Sequence, residues 1–288
     1  SGGDSIVAIQ FVSRAKASGV EFTPRDVFER RTVAALAEVA VSGAERVRLD
    51  ELPGGGIGRM PLLPIARGVL RRAQKPEDID AFFQALTVTA PGDADVHGLS
   101  RALSTVLDHH DMLRSRLVDD ELDVSAPGTV DAAKLVTEEN TADLDDVVRR
   151  AGARLRPREG VMVQLVLVTG GARERVVVVA HHLVVDGVSW RILLPDLATA
   201  WSGQPTLAPT ATSMRRWAHA VQDFSISDTA RWRAVSDGDD EPIGSRPLDA
   251  RDTGARMQHI EVHASRDVTD AALLTDAFSA RLPGERDD

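Results

Sequence analysis

The sequence predicts an α/β (α+β) chain, with a short helical segment followed by alternating strands and helices. Three observations carry this. Leu86 and Val88 alternate with Thr87 and Thr89, the period of a half-buried strand. Leu99, Ala102, Leu103, Val106 and Leu107 fall on one helical face. Two apolar runs, Val161 to Val168 and Val176 to His182, flank Gly170 and Gly171, as in an antiparallel hairpin with a loop of several residues.

In chain order, Ile6, Ile9 and Val12 are spaced as a helix with Phe11 beside them. Thr23-Pro24 reads as an N-cap followed by proline at the first helical position, and Val27 and Phe28 begin another apolar face. Thr32 can cap a third helix, Val33 to Val41, so the first segment suggests a small helical bundle. Residues 51–58, Glu-Leu-Pro-Gly-Gly-Gly-Ile-Gly, have the composition of a flexible linker. A phosphate-binding glycine loop is the sharper reading, but the spacing fits neither the dinucleotide nor the P-loop pattern. Leu144, Val147, Val148, Ala151 and Leu155 repeat the amphipathic pattern. Ser189 to Trp201 is helical although Pro195 lies inside it, which costs ~3 kcal/mol unless the helix kinks or restarts. Ser213 caps a helix carrying Trp217, Val221 and Phe224. Residues 235–256 read as a loop, 256–263 as a strand and 268–278 as a last helix, with a frayed tail. There is no internal repeat.

The bulk numbers exclude several functions. With 288 residues the chain has room for roughly two domains. A hydrophobic content of 43% supports real cores. The net charge of −10 argues against nucleic acid or anionic membrane as a partner. With no cysteine there are no disulfides, thiolate metal sites or cysteine nucleophile, and a cytoplasmic location fits. No apolar run approaches the ~20 residues of a membrane helix. The N-terminus has no signal-peptide pattern and no initiator methionine, as expected of a piece of a longer polypeptide. One metal constellation is worth weighing: His259, Glu261 and His263 alternate on one strand face and could hold zinc. A solvated polar face opposite Ile260 and Val262 is the preferred reading, so no metal is expected.

The most informative stretch is His181-His182-Leu183-Val184-Val185-Asp186-Gly187-Val188-Ser189-Trp190. A buried strand delivers an imidazole into a turn, which holds a base rigidly beside a substrate. His182 is the candidate base, since an imidazole can accept a proton near neutral pH. His181 should point to the opposite face. Asp186 either orients the imidazole or makes a structural ion pair that fixes the turn.

This stretch resembles the HHxxxDG signature of the condensation and epimerization domains of nonribosomal peptide synthetases, and its Val-Ser-Trp tail resembles the epimerization branch. His109-His110-Asp111-Met112-Leu113-Arg114 resembles the family's second motif in its epimerization form. Gly2-Gly3-Asp4-Ser5-Ile6, with the residues up to 41, is similar to the later helices of a peptidyl carrier protein, in the variant placed before epimerization domains. The three motifs stand in family order. Leu63-Pro64-Ile65-Ala66-Arg67-Gly68 aligns with the first motif but carries Ala66 and Gly68 where the family has a polar group and bulk.

The resemblance implies a partial carrier domain over 1–48, a linker over 49–59 and the N-terminal lobe of an epimerization or condensation-like domain over 60–234. A crossover loop and the start of a truncated second lobe would occupy 235–288. The lobe should resemble chloramphenicol acetyltransferase, a mixed sheet with packed helices. Ser5 would carry covalent 4′-phosphopantetheine; the plainer reading of Ser5 is an N-cap serine. The implied reaction is inversion at the α-carbon of a tethered aminoacyl or peptidyl thioester, with His182 as acid/base. Support would come from a structural Asp186–Arg114 pair and from Gly187, where a Cβ would crowd the site. Ser189 and Trp190 would open the next helix, with Trp190 a packing residue. Partners would be the tethered thioester and neighbouring adenylation and condensation domains. The family's second acid/base, a glutamate, belongs to the lobe not present, so this piece alone is expected to be inactive. The alternatives are a condensation domain that forms peptide bonds, and a non-catalytic module that only binds carriers.

Overall fold

The computed structural model describes residues 8, 11–12, 14–15, 18–42, 49–73, 75–203, 207–210, 212–222, 229–237, 246 and 265–268. They fall in two compact units, residues 1–225 and 226–288. In the second unit the described residues form helix Thr229–Ser236 and a helical stretch at 266–268. Ile6, Ile9, Phe224, the strand expected at 256–263 with His259, Glu261 and His263, and nearly all of the expected last helix lie outside the described residues.

Near the start of the first unit, helix α1 (Pro24–Arg30) begins as expected, with Pro24 at its first position. The Thr23 hydroxyl accepts the Asp26 N–H, and the Asp26 carboxylate accepts the Thr23 N–H in return. Thr32 caps α2 (Val33–Val39), which ends two residues before the expected limit. The last of those residues instead opens strand β2 (Val41–Ser42), antiparallel to β1 (Val20–Glu21), so this segment is not purely helical.

The core of the unit is a four-stranded sheet, ordered β4 (Phe83–Thr89), β9 (Arg175–His181), β8 (Val163–Val168), β7 (Val136–Glu139). The β8–β9 hairpin is antiparallel, as predicted, while β7 pairs with β8 in parallel. Both hairpin strands are apolar almost throughout because both faces are covered. On one face Val176, Val178 and Ala180 pack with Val163, Leu165 and Leu167 against helices α5 (Val96–His109) and α7 (Trp190–Trp201). On the other, Val177 and Val179 pack with Val166 and Val168 against helix α6 (Leu144–Gly152). All five apolar residues that predicted α5 are buried. Leu155 is buried too, but lies beyond the end of α6. Strand β4 is at the sheet edge, and Leu86 there is exposed rather than half-buried.

A three-stranded antiparallel sheet, β3 (Gly58–Pro61), β6 (Glu121–Val124), β5 (Ser115–Val118), has a separate core with Met60, Leu117, Leu122 and Ala218. Helices α3 (Pro64–Arg72), α4 (Pro76–Asp80) and α8 (Met214–Gln222) complete the first unit. Ser213 caps α8 as expected, accepting the Arg216 N–H at 3.0 Å. Helix α7 runs unbroken through Pro195. Arg191 and Pro195 are both exposed, so water can replace the missing helical donor.

The segment expected to be a flexible linker is fixed. Gly54 and Gly55 take positive φ in a turn closed by a bond from the Gly55 N–H to the Leu52 carbonyl at 2.8 Å. The Glu51 carboxylate accepts the Ser213 N–H and hydroxyl at 2.6 and 2.8 Å. The Arg215 guanidinium binds the carbonyls of Pro53 and Gly55. Gly54 and Gly55 serve the turn, and the Glu51 carboxylate and the Pro53 and Gly55 carbonyls serve the start of α8.

Candidate active site around His182

The β4–β9 register sets the site. Phe83 opposes His181 and Gln84 opposes Ala180. One step further, the His182 N–H donates to the Phe82 carbonyl at 2.9 Å. Side chains alternate along a strand, so Phe82, Gln84 and His182 share the α5/α7 face while His181 takes the other. The Phe82 and His182 rings stack with centroids 4.6 Å apart.

Hydrogen bonds fix the form of each imidazole. For His182, Nδ1 is 2.7 Å from the Val185 carbonyl, which can only accept, so Nδ1 carries the proton. In the neutral ring Nε2 is then a bare lone pair, and the Gln84 side-chain amide donates to it at 3.1 Å. The Gln84 carbonyl oxygen in turn accepts the Trp190 indole N–H at 2.8 Å. His182 is half-buried. It stands in the wall of neither the cavity of about 810 Å³ nor the one of about 560 Å³, although Val184 and Ser189 of its loop line the latter.

His181 is wholly buried and structural. Its Nδ1 accepts the Leu183 N–H at 3.2 Å, so Nε2 is the protonated nitrogen and donates to the Ile79 carbonyl at 2.8 Å. Burial holds its pKa below the ordinary imidazole value. The two adjacent histidines therefore have separate tasks, one locking the strand end and one presenting a base.

Three expected supports differ. Asp186 does not pair with Arg114. Its Oδ1 accepts the N–H groups of Val188 and Ser189 at 3.0 and 2.8 Å and the Ser189 hydroxyl at 2.7 Å. The Asp186 N–H returns a bond to the Ser189 oxygen at 3.0 Å. This closed loop caps the entrance to α7 and satisfies the carboxylate locally. Burial opposes its ionisation, but the Ser189 and Val188 donors outweigh that and hold the carboxyl below its ordinary pKa.

Arg114 has other partners. The residue is 2% exposed, and its guanidinium donates to the carbonyls of Leu107, Asp108 and Ser125 and to Asp111 Oδ1 at 2.7 Å. It ties the end of α5 to Ser125, the residue that follows β6, across the 3₁₀ turn Asp111–Arg114. A carboxylate three residues away needed no long-range partner.

Gly187 is the third difference. It is exposed, its φ is not positive, and a Cβ there would meet nothing within 4 Å. Ser189 was expected inside the next helix; it stands one residue before α7, at the N-cap position, with no side-chain cap bond to the helix. Trp190 is 7% exposed and packs in the core, but it also holds Gln84. Gln84 and Phe82 were not singled out from the sequence. The available signal was a glutamine beside two phenylalanines at the start of an otherwise apolar and threonine-rich strand. Ser5 lies outside the described residues.

Residues 57–234 match the condensation domain family model, and residues 1–40 match the phosphopantetheine attachment site model. Chondramide synthase cmdD of Chondromyces crocatus is 36% identical over 299 residues, covering 96% of this chain and 8% of that protein. A linear gramicidin synthase polypeptide of Brevibacillus parabrevis is 36% identical over 308 residues, covering 96% of this chain and 4% of that protein. The chain thus spans less than a tenth of the length of these relatives. Among solved structures, the epimerization domain from the third module of tyrocidine synthetase B matches with a TM-score of 0.54 at 22% identity, over 63% of this chain and 46% of that one. The first condensation domain of the calcium-dependent antibiotic synthetase matches with a TM-score of 0.51 at 21% identity, over 61% of this chain and 46% of that one. At these identities the likeness is one of fold, and the mixed sheet with packed helices is the fold class expected from the sequence. No helix among the described residues is long and apolar enough to cross a membrane. The chain belongs to the condensation-domain family of nonribosomal peptide synthetases, with a phosphopantetheine attachment segment ahead of that domain.

Proposed function

We infer that residues 60–234 take part in epimerizing the α-carbon of an aminoacyl or peptidyl thioester, from L to D, in a synthetase module. The observation that carries this is the fixed tautomer of His182: with Nδ1 committed to the Val185 carbonyl, Nε2 is the ring atom whose lone pair can accept a proton once the Gln84 amide releases it. The motifs ending Asp111-Met112-Leu113-Arg114 and Val188-Ser189-Trp190 favour the epimerization branch over the condensation branch.

Ser5 is the residue that would hold 4′-phosphopantetheine, after the Gly-Gly-Asp motif that precedes it. The thioester that group presents makes the α-proton more acidic than an amide would. His182 Nε2 removes that proton, and the Val185 carbonyl stabilises the resulting imidazolium through Nδ1–H. The Gln84 amide, freed from Nε2, is a donor that can face the developing enolate oxygen. Inversion then needs a proton delivered to the opposite face by a second acid. The partners on this reading are the carrier-tethered substrate and neighbouring adenylation and condensation domains, with 1–48 as the carrier part, 49–59 as its connection and 235–288 as the passage to a second lobe.

A condensation reaction, with His182 assisting an amine in its attack on a thioester, is the second reading, because the matched model is that of condensation domains. Both are tested by incubating the full chain in D₂O with a soluble aminoacyl-pantetheine thioester. Deuterium entering the α-carbon, and its loss in His182→Ala, supports epimerization. Amide formation from added amine and thioester without exchange supports condensation. Neither product from this chain alone is the outcome expected of a lobe without its second acid; neither product from a module that holds both lobes would overturn both readings and leave carrier binding alone.

A further inference from the structure

Outside the His182 site, His109, His110 and Asp196 offer three ligand atoms that all lie within 4.8 Å of one another. We propose that this set is a binding site for a divalent cation of the zinc class, with its open coordination position toward the cavity of about 560 Å³ whose wall includes His109 and His110.

The backbone explains how adjacent residues can serve one ion. His109 is the last residue of α5, and neighbours within a helix diverge by ~100°. His110 leaves the helix with φ −98° and ψ 98°, which brings its ring edge-on to that of His109 with centroids 4.8 Å apart. Asp196 reaches the pair from α7, its Oδ2 2.8 Å from His110 Nε2.

The chemistry of the set fits. Two imidazoles and one carboxylate form a catalytic-type zinc triad, which leaves a fourth position for water. Tetrahedral N/O ligands about 2.0–2.2 Å from zinc stand about 3.3–3.6 Å apart, so small rotations of half-buried side chains suffice. Without an ion, His110 and Asp196 share a proton. An ion between them replaces that proton, which moves to the other ring nitrogen or to water.

Two further observations, the helix end and the cavity wall, favour a cation. The site is at the carboxyl end of the 14-residue α5, where free carbonyls and the helix dipole stabilise positive charge. The described wall of the cavity contains Asp111 but no lysine or arginine.

The test is titration of the full, tag-free, metal-stripped chain with Zn²⁺ alone, followed by calorimetry, and with Co²⁺ alone, followed by visible absorption. One equivalent should bind, with the d–d bands of a low-coordinate Co²⁺ ion. Asp196→Asn keeps the side-chain shape and a partner for His110, so its fold should survive, which its melting curve checks. It should weaken binding more than about tenfold, as should His109→Gln, while His182→Ala should leave it unchanged. Absence of a stoichiometric site, or affinity that none of the Asp196 and His109 variants alters, would overturn the proposal.

Discussion

Gln84 joins His182 to Trp190, donating to His182 Nε2 at 3.1 Å and accepting from the Trp190 indole at 2.8 Å. One side chain at the sheet edge thus orients the candidate base and anchors the first residue of α7. Gln84→Leu removes both partners at once. It leaves a part-buried indole N–H unsatisfied, so stability should fall by about 1–3 kcal/mol in urea unfolding. Trp190→Phe removes that orphan donor, so the Gln84→Leu and Trp190→Phe double variant should lose less than the sum of the two. Strict additivity would show that the bond carries no energy.

Arg114 and Asp186 should behave as independent residues. Arg114→Met leaves three carbonyls and Asp111 without their donor and should destabilise by about 3–5 kcal/mol. Asp186→Asn disturbs only the cap at the start of α7. In a double-mutant cycle the two effects should add to within about 0.5 kcal/mol. A coupling energy well above that would restore the ion pair expected from sequence and contradict the hydrogen bonds at Ser189 and Ser125.

These two cases mark what the sequence could disclose. Burial leaves a periodic trace, so α5 and the β8–β9 hairpin were legible from Leu99 to Leu107 and from Val176 to Ala180. The divergence of His181 and His182 followed from strand alternation alone. Backbone carbonyls leave no trace, because every residue has one. That is why the true partners of Arg114, and the Val185 carbonyl that fixes His182, were invisible. Gln84 was hidden differently. Its partner His182 is 98 residues away, and only the β4–β9 register brings them together. The short strands β3, β5 and β6, of four residues each, were too brief for alternation to stand out.

Acid should weaken the fold in two stages. His181 has a folded pKa below its ordinary 6.5, so below that pH the unfolded chain takes up a proton that the folded chain refuses. Its contribution is complete above 6.5 and is lost as pH falls from there; His110, lowered in the same sense, adds to this stage. Asp186 is depressed below 3.8, so its contribution is present above that value and is lost on further acidification through the folded pKa. Urea midpoints measured from pH ~8 to ~5 should fall for the native chain and fall less for His181→Gln. An unchanged slope in that variant would assign the first stage to other groups. Asp186→Asn should leave this range untouched and flatten only the loss below 3.8.

Glycine substitutions should separate motif from packing. A Cβ at Gly152 would run into the Phe83 ring, inside the core between α6 and the sheet. Gly152→Ala should therefore cost about 1–3 kcal/mol, and Phe83→Leu in the same chain should return part of it by vacating the clash. Gly187, although part of the most informative motif, has open space around its Cβ direction and no positive φ. Gly187→Ala should change stability by no more than about 0.5 kcal/mol. If it also leaves α-carbon deuterium exchange intact, the glycine is not needed for the fold or for proton transfer in this chain. A large loss of exchange with unchanged stability would instead mean that substrate approaches the backbone at Gly187 closely enough to exclude a methyl group.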